Sequence, residues 1–230
     1  MFSQDTLKVF EAKAICSPRV KRIIQRETAS TYADFVEVLH EDIEFALLRI
    51  QQNKARFHSE KEDFITDALV MSLSSMGYDA WHDSYVNGHV DVSVYGHDHD
   101  FLWIAEAKRD KGASELEAGF RQLVHRYSTG APQHSCAGML IYIQGKDAAT
   151  ILGNWRDCVT SALVTEFEQL QVSNCPKGNP LAFVSVQKHD SSGLDFKVRH
   201  IGVPLYHEPT DKSAVRSKSR KATTPSDPTR

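Results

Sequence analysis

The run Ala137-Gly138-Met139-Leu140-Ile141-Tyr142-Ile143-Gln144 has no polar face. A strand wetted on one side alternates apolar and polar residues, so a strand without that alternation needs cover on both sides. This excludes an open single-layer sheet and predicts a buried strand, parallel to its predecessor, inside a sheet flanked by helices. The predecessor is Phe101-Leu102-Trp103-Ile104-Ala105-Glu106-Ala107-Lys108, which stays apolar almost to its end. Before it comes the strand-like run His89-Val90-Asp91-Val92-Ser93-Val94-Tyr95, joined to it by Gly96-His97-Asp98-His99-Asp100 as in a hairpin.

The remaining pattern supplies the covering helices. From Thr31 to Arg56 the residues Val36, Leu39, Ile43, Ala46, Leu47 and Ile50 recur at threes and fours. Ser59-Glu60-Lys61-Glu62 fits a capping box, so a second helix is expected from Ser59, with the stripe Ile65, Leu69, Leu73, Met76 and a stop at Gly77. A short segment, Ala80 to Tyr85, precedes the turn Asn87-Gly88. Ser114-Glu115-Leu116-Glu117 is another capping box, opening a helix whose apolar face is Leu116, Phe120, Leu123, Val124 and Tyr127. Asp147 to Leu170 reads as helical, and Leu181 to Gln187 with Leu194 to Pro204 as closing strands. The expected fold class is α/β, a central mixed β-sheet flanked by helices. An N-terminal helical extension occupies 1–56, the core 57–208, and a basic tail rich in Ser, Thr and Pro, expected to be disordered, 209–230.

Composition narrows the function classes only at the margins. No stretch of 18 apolar residues exists and the start lacks a secretory pattern, so no membrane association and a cytoplasmic location are expected. The four cysteines, Cys16, Cys136, Cys158 and Cys175, contain no C-x-x-C pair and read as reduced thiols. A net charge of −3 argues mildly against a protein that coats nucleic acid nonspecifically, while leaving room for a local basic patch.

The chemistry concentrates at the ends of the paired strands. Glu106 and Lys108 are two apart, so a carboxylate and an ammonium leave one face side by side, the face of Leu102 and Ile104. Asp91 stands on the polar face of the preceding strand, where Asp is disfavoured, and a hairpin brings it next to Glu106. Glu62 falls on the packed stripe of its helix, whereas Glu60 does not. Two acids and a lysine so held can bind a hard divalent cation and serve a phosphodiester. Each residue also has a local explanation: a strand-end ion pair for Glu106 and Lys108, a solvent-facing position for Asp91, and the third position of a capping box for Glu62.

In this order and on these elements, Glu62, Gly88-His89-Val90-Asp91 and Glu106-Ala107-Lys108 resemble the PD-(D/E)xK nuclease superfamily, the restriction-endonuclease-like fold. The resemblance covers roughly residues 59 to 144. It implies Mg²⁺-dependent cleavage of DNA, with Mn²⁺ as a substitute, Asp91 and Glu106 as metal ligands, Glu62 joining the metal shell, and Lys108 orienting or activating the attacking water. Val90 stands where many members carry proline. Some exonuclease branches carry Gln-x-x-x-Tyr on the next helix, whereas Gln122 and Tyr127 are one position further apart. The superfamily's habits imply control by a homo-oligomer or a regulatory partner protein, and a role in prokaryotic defence against foreign DNA. A non-catalytic nucleic-acid- or protein-binding module that keeps the fold is the rival reading.

Further candidates are weaker in kind. Gln122 and Arg126 form an i, i+4 pair that can touch a phosphate backbone, and His89 shares the face of Asp91. Lys108, Arg109, Lys111, Arg121 and Arg126 suggest a basic rim. His82, His89, His97 and His99 lie in and around the hairpin without a zinc-ligand spacing. Neither a phosphate-binding glycine loop nor a G-x-S-x-G elbow is present.

Overall fold

A computed structural model describes residues 8–9, 17–96, 100–167 and 169–210, the side chain of Arg19 excepted. The expectations for Cys16, for His97 and His99, and for the tail at 211–230 lie outside the described residues. The described elements are α1 (Pro18–Glu27), α2 (Tyr32–Gln52), the single turn α3 (Lys54–Phe57), α4 (Glu62–Ser75), β1 (Asp79–Tyr85), β2 (His89–Tyr95) and β3 (Leu102–Arg109). Then come α5 (Ala113–Arg121), continued by a π-helical stretch Gln122–Tyr127, β4 (Cys136–Ile143), α6 (Ala148–Ser161), β5 (Gln171–Asn174), β6 (Ala182–Lys188) and β7 (Asp195–Pro204).

The seven strands form one sheet in the order β1-β2-β3-β4-β7-β6-β5. Its centre, β3, β4 and β7, is parallel, and the outer strands pair antiparallel on both sides. The chain is therefore α/β with a mixed sheet flanked by helices. The apolar run lies in β4 from Ala137 to Ile143, all of it buried, and Gln144 follows the strand's end. One face packs Trp103, Ala105, Leu140, Tyr142 and Ile201 against the stripes of α2 and α4. The other packs Ile104, Met139, Ile141 and Val198 against α5, its π continuation and α6. Leu39, Ile43, Leu69 and Leu73 are fully buried. Each such side chain contributes about 1.5–3 kcal/mol, so the stripes outweigh details at the helix ends.

Those details differ from the sequence expectation. Thr31 caps α2, its hydroxyl accepting the Asp34 amide at 3.2 Å, but the helix stops at Gln52 rather than Arg56. Neither capping box forms. Lys61 precedes α4 and Gly112 precedes α5, both without a side-chain cap, and Ser114 lies inside the first turn of α5. Gly77, at φ 99°, follows the end of α4 as expected. The helix expected over 147–170 ends at Ser161, its first turn capped by the Asp147 carboxylate. Helix α1, with only Val20, Ile23 and Ile24 as its stripe, and edge strand β5 are not among the elements expected from the sequence. Among the described residues no helix is long and apolar enough to cross a membrane.

Candidate active site

Glu106 and Lys108 leave β3 toward α5, on the face of Leu102 and Ile104. They come that close to a helix because the helix carries Gly119 there. A Cβ at Gly119 would stand 3.2 Å from Glu106 Cγ and 3.1 Å from Lys108 Cγ, tighter than ordinary packing allows.

Asp91 arrives by a break in the sheet. The pairing of β2 with β3 ends at Val92 opposite Ala105. One residue further, the Asp91 side chain takes over, its Oδ2 accepting the Ala107 amide at 2.7 Å. The alternation of β2 also changes here, with Val92 and Val94 in one apolar cluster and Val90 in the other. Across the hairpin, between the couples His82–Val92 and Ser84–Val90, Asp83 adopts φ 52°. The carboxylate thus sits between strands that have parted.

Glu62 opens α4, where the partial positive charge of a helix N-terminus favours an acid. Its carboxylate does not cap its own helix. Oε2 accepts the Arg109 amide at 2.8 Å, and Oε1 lies 3.4 Å from Lys108 Nζ. The approach to α4 is held by Gln144, whose amide donates to the carbonyls of Phe57 (3.1 Å) and Glu60 (2.8 Å). Below it, Thr66 Oγ1 and the buried Tyr142 hydroxyl pair at 3.1 Å.

The four side chains meet at one atom. Lys108 Nζ is 2.6 Å from Glu106 Oε1, 3.4 Å from Glu62 Oε1 and 3.6 Å from Asp91 Oδ2, and it donates to the Ala107 carbonyl at 2.9 Å. Two oxygens so close to one nitrogen cannot be further apart than the sum of their distances to it, so Asp91 and Glu106 are neighbours. Glu106 is 2 % exposed, and its Oε2 is buried without a hydrogen-bond partner among the described residues. Burial first, then the charges of Asp91 and Glu62, push its carboxyl up to about pKa 7 against the pull of Lys108. Burial alone would lower the Lys108 ammonium, but Glu106, Asp91 and Glu62 together hold it above its ordinary value.

Three acids against one amine leave an excess of negative charge in a largely desolvated place. A partnerless, buried carboxylate oxygen and an all-oxygen donor set fit a hard cation such as Mg²⁺. Among the described residues no three acidic, histidine or cysteine side chains are already at metal-holding spacing. The carboxylates surround the ammonium instead.

The secondary candidates are placed differently. His89 is exposed at the outer end of β2, its Nδ1 2.9 Å from Asp83 Oδ1, outside the four-residue group. Gln122 opens the π-helical stretch, half-buried, three residues beyond Gly119 and so on the same side of the helix. Arg126 is exposed and lies over the Tyr127 ring, 5.6 Å from its centroid, against the Asn87-Gly88 turn. Gly88 has φ 153°, and a Cβ there would stand 2.7 Å from Arg126 Nε. The basic rim is partly neutralised, since Arg121 bonds Glu166 at 2.8 Å and pairs with Glu117 at 3.2 Å. His82 pairs with Asp67 at 2.6 Å.

Sequence reasoning missed Gly119 and the nearness of Tyr127. The Tyr127 phenol is raised by burial and by the charges of Glu106 and Asp91. The i→i+5 bonding of a π-helix winds more slowly than an α-helix, so residues five apart stand roughly where residues four apart stand in an ordinary helix. Gln122 and Tyr127, five apart, are the two ends of the π-helical stretch. Comparison with known proteins finds no matching family model, no similar curated protein and no similar solved structure.

Proposed function

We propose that the chain is a metal-dependent nuclease of the PD-(D/E)xK kind, hydrolysing phosphodiester bonds in DNA, with a role in prokaryotic defence against foreign DNA. The observation that carries this reading is the convergence of Glu62, Asp91 and Glu106 on Lys108 Nζ, with one buried Glu106 oxygen left unpaired. A structural ion pair needs one acid per base, whereas this site spends three on one and leaves part of the charge uncompensated. Such imbalance marks sites that meet a cationic partner.

Asp91, Glu106 and Glu62 would hold Mg²⁺ or Mn²⁺. The bound cation supplies an acidified water and offsets charge building on the phosphate. Asp91 is fixed in aim by the Ala107 amide and Glu62 by the Arg109 amide, so neither needs to reorganise far. Lys108 would supply a positive charge and a proton-bearing nitrogen at the border of the site once the cation is bound. Arg126, exposed beside the β1–β2 turn, would contact a phosphate flanking the scissile one.

The test is plasmid cleavage by purified protein. Mg²⁺-dependent nicking or degradation is expected, abolished in Asp91→Ala and Lys108→Ala. Undiminished cleavage in both variants overturns the site, and an inert wild-type chain supports a binding module instead.

A further inference from the structure

We infer that Lys108 is an internal competitor for the divalent cation: in the metal-free chain its ammonium fills the cation's place, and cation binding must expel it. This rests on the metal-dependent reading above and adds a claim about the free chain.

The geometry is that of an occupied nest. Four oxygens from three parts of the fold surround one nitrogen: carboxylate oxygens of Glu106, Glu62 and Asp91 and the carbonyl of Ala107. Two of the carboxylate contacts, 3.4 and 3.6 Å, suit an ammonium better than Mg²⁺, which needs oxygens at about 2.1 Å. Drawing these acids inward to that distance requires the nitrogen to leave. The Lys108 stem runs past Gly119, where a Cβ would stand 3.1 Å from its Cγ and 3.2 Å from its Cε, so the glycine leaves the stem room to move. The side chain is 19 % exposed, so an outward path to solvent exists. The acids themselves are anchored by main-chain amides, which keeps the nest in place once it is vacated.

The device has a physical purpose. Three carboxylates with no cation repel one another and are costly to bury, so a resident ammonium keeps the empty site folded. The cost is that cation affinity is reduced by the work of evicting it.

The wild-type chain without nucleic acid gives the first test. Lysines are acylated with a small amine reagent, with and without saturating Mn²⁺, and the peptides are quantified by mass spectrometry. Lys108 should be protected in the free chain and label on the order of tenfold faster with Mn²⁺, while exposed Lys54 and Lys61 do not change. Calorimetry gives the second: Lys108→Met should bind Mn²⁺ on the order of tenfold more tightly than wild type. Unchanged Lys108 labelling together with equal affinity overturns the inference and leaves the nuclease reading standing if cleavage persists. Absence of Mn²⁺ binding to both proteins overturns the two together.

Discussion

Asp42 and Glu106 are both buried acids at 2 % exposure, yet they solve burial in opposite ways. Asp42, on α2, gives one carboxylate oxygen to Arg26 Nε (3.1 Å), Arg26 Nη2 (2.8 Å) and the Tyr78 hydroxyl (3.0 Å). One negative charge meets one positive charge, and the same guanidinium also donates to the Met76 carbonyl, tying α1 to the end of α4. Glu106 shares a single ammonium with two other carboxylates and keeps an oxygen without a partner. Burial of charge is common to both. What separates a brace from a reactive centre is whether the charges balance.

The comparison can be broken at several points, beginning with Glu106→Gln. This change should lower Mg²⁺-dependent cleavage by about a thousandfold, measured as the initial rate on plasmid, while the folded chain becomes no less stable. Next, Asp42→Asn should cost about 3 kcal/mol in urea denaturation, because it removes the carboxylate that the largely buried Arg26 guanidinium binds. If Asp42→Asn were neutral and Glu106→Gln destabilising, the roles assigned to the two acids would be reversed.

pH sharpens the contrast. The Glu106 carboxyl is raised from 4.5 to about 7, so the folded chain holds this proton more firmly than the unfolded chain does. The penalty of its charge is absent below pH 4.5, grows as pH rises toward 7, and is complete above that. Metal-free wild type should therefore match Glu106→Gln in acid and fall behind it by a few kcal/mol near neutrality. A stability difference that stays flat across this window would remove the strain attributed to the site.

Smaller effects test the surroundings. Gly119→Ala should reduce cleavage about tenfold by pressing on Glu106 and Lys108, with little loss of stability because alanine is the better helix former. Smallest of all, Ser59→Ala should change urea stability by less than about 0.5 kcal/mol, whereas Thr31→Ala should cost about 1 kcal/mol, since only Thr31 caps its helix.

These cases also explain what the sequence could reveal. Strand β4 and the stripes of α2 and α4 were legible because a single period set by burial dominates each. The capping boxes misled because a serine three residues before a glutamate fixes no backbone angle, and at Glu62 the Arg109 amide claimed the carboxylate instead. Helix α1 escaped notice because its basic residues obscure a short stripe. Strand β5 is only Gln171–Asn174, with little apolar content. At the site, the four charged residues were readable from their types and spacing. Gly119 was not, since a glycine inside a helix gives no hint of what it must admit. Nor was the departure of β2 from β3 at Val92, which depends on the Asp91 side chain finding the amide of another strand.

That departure leaves Asp91 as one of the partly exposed groups in front of the buried acid. Helices roof both broad faces of the sheet, α2 and α4 on one and α5 and α6 on the other. Glu106, 2 % exposed, lies behind Lys108, Asp91 and Glu62, whose side chains are 19 %, 25 % and 26 % exposed, so a ligand meets those three first.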